Sequence, residues 1–338
     1  MNLNENRYSG YALVQEMMQT VATVRNFDPM QTKEVAETIL KAGRLHFTGE
    51  GSSRILPAKN TIRKVLSKGI DLAVSTDGSW QSAQYNLSKA AVFCASNSGR
   101  TKEVVLLAQK LAAIGNPLRF ALTANENTLL EKECTQTWVL KCGWENAVAA
   151  TKSVVEQALF YESILWNILK TDKKADLEQL ADAIETALTQ SIDPEIVRLA
   201  VEAPTIYFAG YNDGVAEELT LKTNEITRKK SDYLEGTYAA HGIEEVMDKN
   251  DIVFVIDPIE EEYQKFHNVL EKGVGLKIVA ISDKDTPFTT IKVPNAGDLS
   301  PYVFLCAGWN LLVETGLALG INLDKPERAR KVGNEFGS

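Results

Sequence analysis

Leu45-His46-Phe47-Thr48-Gly49 returns 161 positions later as Ile206-Tyr207-Phe208-Ala209-Gly210. At the same offset, Ala91-Val92-Phe93-Cys94-Ala95 returns as Ile252-Val253-Phe254-Val255-Ile256. A third pair, Phe120-Ala121-Leu122-Thr123 and Val279-Ala280-Ile281-Ser282, lies 159 apart. Each segment is a short apolar run ending in small or turn-forming residues, as expected of strands buried on both faces of a parallel sheet. Helical patterns separate the runs, such as 101–114, which closes on Gly115-Asn116-Pro117. Strands alternating with helices predict doubly wound α/β units joined by right-handed crossovers. The repeat predicts two tandem three-layer αβα domains, each with a mainly parallel sheet, dividing the chain into 1–172 and 173–338. Apolar helical stretches at 148–169 and 302–319 close the two halves. Helices are also expected at 11–24, ahead of the first strand, and at 175–190, as a connector.

The chain has 338 residues, 44% hydrophobic and 24% charged, room for about two globular domains. Its formal net charge of −9 repels a polyphosphate backbone, so no nucleic-acid partner is expected. A small anion remains compatible, because a local nest of N–H donors can outweigh the global field. No apolar run is long enough to span a bilayer, and the N-terminus lacks the pattern of a secretory signal. The four cysteines show no C-x-x-C spacing, and Cys94 and Cys306 sit in apolar runs as core residues. Three scattered histidines offer no metal site. These features predict a reduced, soluble, cytoplasmic protein.

The halves diverge where the chemistry is expected. After its second core strand the first half reads Ser96-Asn97-Ser98-Gly99-Arg100-Thr101 at a helix start, and after its first strand Gly49-Glu50-Gly51-Ser52-Ser53. Both loops fall at the carboxyl ends of parallel strands, where ligands bind. Free N–H groups and hydroxyls there suit a phosphate. Helix capping by Ser98 or Thr101 accounts for one hydroxyl, not for four in two converging loops. The second half carries Asp257-Pro258-Ile259-Glu260-Glu261-Glu262 in place of the hydroxyl loop, whose carboxylates repel a dianion. It holds instead a helix, 215–226, with Glu218, Lys222 and Glu225 along one face, and His241 in a loop of small residues. On helix pattern alone, Lys222 and Glu225 read as an ordinary solvated pair.

Together these residues resemble the tandem sugar isomerase (SIS) family. Ser96-Asn97-Ser98-Gly99-Arg100-Thr101 resembles its S-x-S-G-x-T phosphate loop. The tandem arrangement resembles the isomerase half of glucosamine-6-phosphate synthase, and the amino-sugar-6-phosphate deaminases and fructosamine-6-phosphate deglycases. The resemblance runs from about Tyr11 to Lys331. It implies that Ser96, Asn97, Ser98 and Thr101 form the phosphate cradle, with Ser52 and Ser53 in the substrate-binding hydroxyl loop after the first strand. Val148-Ala149-Ala150-Thr151-Lys152 resembles the V-A-S-T-K segment that touches the sugar, which places Val148 and Ala150 in the site, and Glu145 keeps the acid three residues before the valine. It further implies that Glu225 is the catalytic glutamate and His241, sixteen residues later, the ring-opening histidine. Lys331, after Asp324-Lys325-Pro326, matches the tail lysine that closes over the substrate.

Three departures bear on the substrate: Ala150 lacks the family's hydroxyl, Tyr238 stands where an acid is common, and Ile243 where proline is common. No glutamine-hydrolysing domain precedes the pattern, which predicts no ammonia-supplying synthase activity for this chain alone. The resemblance implies C1–C2 proton transfer on an amino-sugar or fructosamine 6-phosphate with amine release, needing no metal or organic cofactor. The alternatives are simple aldose–ketose isomerisation, or a non-catalytic sugar-phosphate-binding regulator. It also implies a homodimer with sites at the subunit interface, His241 serving the neighbouring subunit.

Overall fold

The computed structural model describes residues 1–331 and 334–337. Ten strands form two sheets. In the first, β1 (Arg44–Thr48), β2 (Ala73–Asp77), β3 (Ala91–Ala95), β4 (Arg119–Thr123) and β5 (Gln136–Val139) pair in the order β2-β1-β3-β4-β5. In the second, β6 (Thr205–Gly210), β7 (Lys230–Glu235), β8 (Ile252–Ile256), β9 (Lys277–Ser282) and β10 (Thr289–Lys292) pair in the order β10-β9-β8-β6-β7. Every pairing is parallel. Read by position in the repeat, the two orders are one topology, so the strand pairs found in the sequence occupy matching slots. In each sheet the order reverses between its first and third strands, the crevice where doubly wound folds bind ligands.

The longer helices among the described residues are α1 (Ala12–Arg25), α2 (Lys33–Ala42), α3 (Ile55–Ser67), α4 (Lys102–Ala113), α5 (Lys152–Leu169), α6 (Lys174–Thr189), α7 (Pro194–Glu202), α8 (Val215–Thr227) and α9 (Ser300–Ala318). The long apolar stretches fold as α5 and α9, and both are buried over almost their whole length.

The compact units are not contiguous in sequence. One comprises Ala22–Glu145, Ala150–Leu177 and the tail 330–338; the other comprises Met1–Val21, Asn146–Ala149 and Glu178–Ala329. We call them the β1–β5 unit and the β6–β10 unit. The linear division at 172/173 follows the repeat, whereas the units trade their chain ends. Asp324 shows how one end is held: its carboxylate accepts Ala12 N–H at 2.9 Å and Leu13 N–H at 2.8 Å, satisfying donors at the start of α1.

In the β1–β5 unit, Phe47, Phe93, Phe120, Trp138, Phe160 and Tyr161 form one aromatic stack between sheet and α5, with Phe47 and Tyr161 centroids 4.2 Å apart. In the β6–β10 unit, α8 lies against α9 at Gly308, where a Cβ would come within 2.3 Å of Leu219. That close approach fixes the helix carrying Glu218, Lys222 and Glu225.

Candidate active site

Each unit carries its own polar constellation. In the β1–β5 unit the loop after β3 is built around hydroxyls. Ser96 Oγ lies 2.8 Å from Thr101 Oγ1 and 3.4 Å from Ser98 Oγ. Thr101 stands at the N-cap of α4 and makes no capping bond with its side chain; its hydroxyl goes to Ser96. Ser98 Oγ accepts Arg100 N–H at 3.2 Å, so local turn bonding accounts for that one hydroxyl. Gly99 is fixed by geometry: its φ is +62°, and a Cβ would stand 2.3 Å from Thr128. Ser52 and Ser53 lie in the turn after β1, at Gly51–Ser53.

One helix ties these loops together. Gln157 of α5 donates to Ser53 O at 2.5 Å, and Asn97 Nδ2 donates to Ser153 Oγ at 2.7 Å. Ser153 Oγ in turn donates to Glu145 Oε2 at 2.5 Å. Glu145 also accepts Thr151 N–H at 2.7 Å and Thr151 Oγ1–H at 3.0 Å, so this buried carboxylate caps the start of α5. Lys331 Nζ stands 3.8 Å from Glu145 Oε2. The tail lysine thus belongs to the unit that carries the hydroxyl loop. A run of polar contacts joins Asn97, Ser153, Glu145 and Lys331.

Beyond Lys331 the chain returns to the loop. Glu335 bridges Thr101 in antiparallel fashion, Phe336 N–H donates to Arg100 O at 2.9 Å, and Phe336 packs on the apolar cluster of α4. Asn334 O accepts Lys102 N–H at 3.1 Å. One donor of the α4 N-terminus is therefore taken by the chain itself, leaving the hydroxyls as the distinctive feature of the cradle.

In the β6–β10 unit the solvated-pair reading of α8 is overturned. Lys222 and Glu218 have fully buried side chains, and Glu225 keeps 24% of its side chain exposed. Lys222 Nζ lies 3.2 Å from Glu218 Oε1 and 2.7 Å from Glu225 Oε2. Burial alone would pull its proton affinity down, but the two carboxylates outweigh that and push it up. Periodicity could place these three on one face but could not say that the face is covered by α9. Glu218 and Lys222 are the functional candidates that the sequence reading left without a role.

His241 follows the turn Tyr238–Ala240 and is exposed. Its Nε2 lies 2.8 Å from Lys265 Nζ, a partner more than twenty residues away with no motif to announce it. Val148 also belongs to this unit, its N–H donating to Asp324 O at 3.3 Å, while Ala150 belongs to the other. Among the described residues no group of three or more His, Cys, Asp or Glu is placed to hold a metal ion, and no helix is long and apolar enough to cross a membrane. All four cysteines are free thiols.

The paired αβα units, with a hydroxyl loop at one switch point and a buried carboxylate–lysine cluster in the other unit, have the fold of the tandem sugar isomerase proteins. The chain resembles part of glutamine–fructose-6-phosphate aminotransferase [isomerizing] from Streptococcus agalactiae, with 24% identity over 320 residues. That match covers 88% of this chain and 52% of the relative, so the chain spans about half the length of the curated relative. Among solved structures, tagatose-6-phosphate ketose/aldose isomerase from Escherichia coli superposes with a TM-score of 0.77 at 15% identity, covering 96% of this chain and 99% of that one. Glucosamine-6-phosphate deaminase from Thermotoga maritima superposes with a TM-score of 0.71 at 18% identity, covering 95% and 99%. No family model matches the sequence.

Proposed function

We propose that this chain is a phosphosugar isomerase-type enzyme that moves a proton between C1 and C2 of an amino-sugar or fructosamine 6-phosphate and releases the amine. The observation that carries this reading is Lys222, buried between Glu218 and Glu225. An ion pair so deeply desolvated is costly as a stabilising device. Here it holds one partly exposed carboxylate, Glu225, in a fixed position, as a positioned general base requires.

In this reading the phosphate sits on Ser96, Ser98 and Thr101, with Asn97, Ser52 and Ser53 at its edge and Val148 and Ala150 along the sugar. These hydroxyls bond one another and can turn to donate to an anion. His241 transfers the C1 hydroxyl proton to the ring oxygen as the C1–O5 bond breaks, opening the pyranose. Glu225 takes the C2 proton as the enolamine forms and returns it at C1, leaving a C2 imine. Water adds to that imine and ammonia leaves, giving a ketose. With a ketosamine the same steps run from C1, and the amino acid leaves. Lys331 steadies the developing oxyanion. The chain acts as a homodimer in which His241 serves the partner's site.

Glu225→Gln in the purified full chain tests this, assayed with glucosamine 6-phosphate and fructosamine 6-phosphate for ammonia and amino acid. Turnover is expected to fall by about 10²-fold or more, with the fold intact by circular dichroism. Wild-type turnover in the variant would overturn the role of Glu225.

A further inference from the structure

We propose that Lys265 is a positioning residue for His241, holding its imidazole in the tautomer that carries the proton on Nδ1. The inference deepens the reading above and rests on His241 opening the ring. Its starting point is the packing of two short turns. Ala239, two residues before His241, is buried in one apolar cluster with Phe266 and Leu270, and Ile243 and Tyr263 pack against that cluster. The histidine loop is therefore pinned from both sides to the helix Tyr263–Phe266. Lys265, adjacent to Phe266, is carried to the imidazole by that packing, with Nζ 2.8 Å from Nε2.

An ammonium has three donors and no acceptor. At this distance Nε2 must offer its lone pair, so the ring proton resides on Nδ1. Neighbouring charged side chains are engaged elsewhere: Glu244 accepts Gly242 N–H at 2.6 Å, and His267 pairs with Glu271 at 2.6 Å. The cation is thus the group that orients the ring. The helix it stands on runs directly into the π-turn His267–Val274, a distortion often found at functional positions.

The pairing also closes the proton balance of ring opening. Nδ1–H passes its proton to the ring oxygen as the C1–O5 electron pair moves there. Lys265 passes a proton to Nε2, so the imidazole remains neutral. Nδ1 then accepts the C1 hydroxyl proton as the carbonyl forms, and the Nε2 proton returns to the Lys265 amine. One proton has moved from O1 to O5 and the protein is unchanged. A histidine without this partner would have to become an imidazolate or wait for solvent between the two transfers.

The test is nitrogen-15 NMR of the histidine side chains in the full chain, with His241 assigned by its loss in His241→Ala. The wild type is expected to show a protonated Nδ1 and an unprotonated Nε2. Lys265→Met is expected to move the proton to Nε2, and an unchanged tautomer would overturn the proposal. With glucosamine 6-phosphate, Lys265→Met should lower kcat about tenfold or more and leave KM unchanged within about twofold, while Lys265→Arg, which keeps a donor but cannot give up its proton, should keep the wild-type tautomer without recovering the turnover. A matching fall in stability with no tautomer shift would mark Lys265 as structural and also overturn it. If His241→Ala retains wild-type turnover while the tautomer does depend on Lys265, the ring-opening role of His241 fails and the positioning contact stands.

Discussion

The loop after β3 and the loop after β8 occupy the same slot of the same topology, and they have become opposites. The first, 96–101, is a cluster of hydroxyls joined by contacts of 2.8 and 3.4 Å, with glycine at its one left-handed position. The second begins at Asp257, a non-glycine residue at φ +44°, whose carboxylate lies 3.6 Å from Lys284. Behind it lies a cavity of about 10 Å³ lined by Tyr211, Tyr263, Phe266 and Phe288, among others. That is room for about one water. Strand order creates the opportunity for a ligand crevice, and loop chemistry decides whether it becomes a cradle or a plug.

The largest expected effect breaks the cradle itself. Ser98→Ala with Thr101→Ala removes two hydroxyls that would donate to a phosphate, each charge-assisted bond worth about 1.5–3 kcal/mol. KM for a 6-phosphorylated sugar should therefore rise by about 10²-fold or more. An unchanged KM would place the anion elsewhere.

A second contrast lies at the third residue of the matching strands, where β1 has His46 and β6 has Tyr207. His46 is buried, with Nδ1 2.8 Å from Ser75 Oγ and Nε2 2.8 Å from Ser82 Oγ. Burial lowers its pKa to about 4, against an opposing pull from Asp77. Because the unfolded chain binds this proton more readily, the stabilisation is complete above pH 6.5 and lost as pH falls from there toward about 4. Denaturant titrations should show a decline over that window of up to about 3 kcal/mol, and His46→Gln should flatten it. An equal slope in the variant would assign the acid sensitivity to other groups.

The smallest effect is expected at the plug. Asp257→Gly removes a left-handed non-glycine residue, relieving strain of about 1 kcal/mol, and gives up an exposed ion pair of small value. Melting should shift little and KM for sugar phosphates should not move. A KM change comparable to that of the cradle variant would mean the second crevice still takes part in binding.

Much of the fold was legible because its signal is local. Six apolar runs in three pairs named the central strands, and 302–319 was apolar enough to declare α9 buried. Edge strands β2, β5, β7 and β10 carry mixed polar patterns, such as Ala-Val-Ser-Thr-Asp at 73–77, and did not stand out. The hydroxyl loop was readable since its residue types and its place after a strand coincide. The state of Lys222 was not, because the same i, i+3 and i+4 spacing serves a solvated face and a buried one; its burial comes with tertiary packing, of which the close approach of α9 to Leu219 at Gly308 is one part. Lys265 was invisible for a related reason, since its meaning lies in the packing of Ala239 against Phe266. The tail also escaped linear reading: the division at 172/173 assigns it to the second half, while the backbone bonds of Asn334 and Phe336 place 334–336 on the loop of the first.

Helix α5 has a consequence for how freely this protein can vary. Every residue from Lys152 to Trp166 is buried, yet the helix is far from purely apolar. Ser153 answers Asn97 and Glu145, Glu156 accepts Lys141 and Cys142 N–H groups, Gln157 holds the turn after β1, and Glu162 takes Lys64 at 2.5 Å. An ordinary amphipathic helix has a solvent side where substitutions accumulate harmlessly. This one has none over four turns, so in a saturation library it should stand out as the span where conservative and radical replacements are rejected alike.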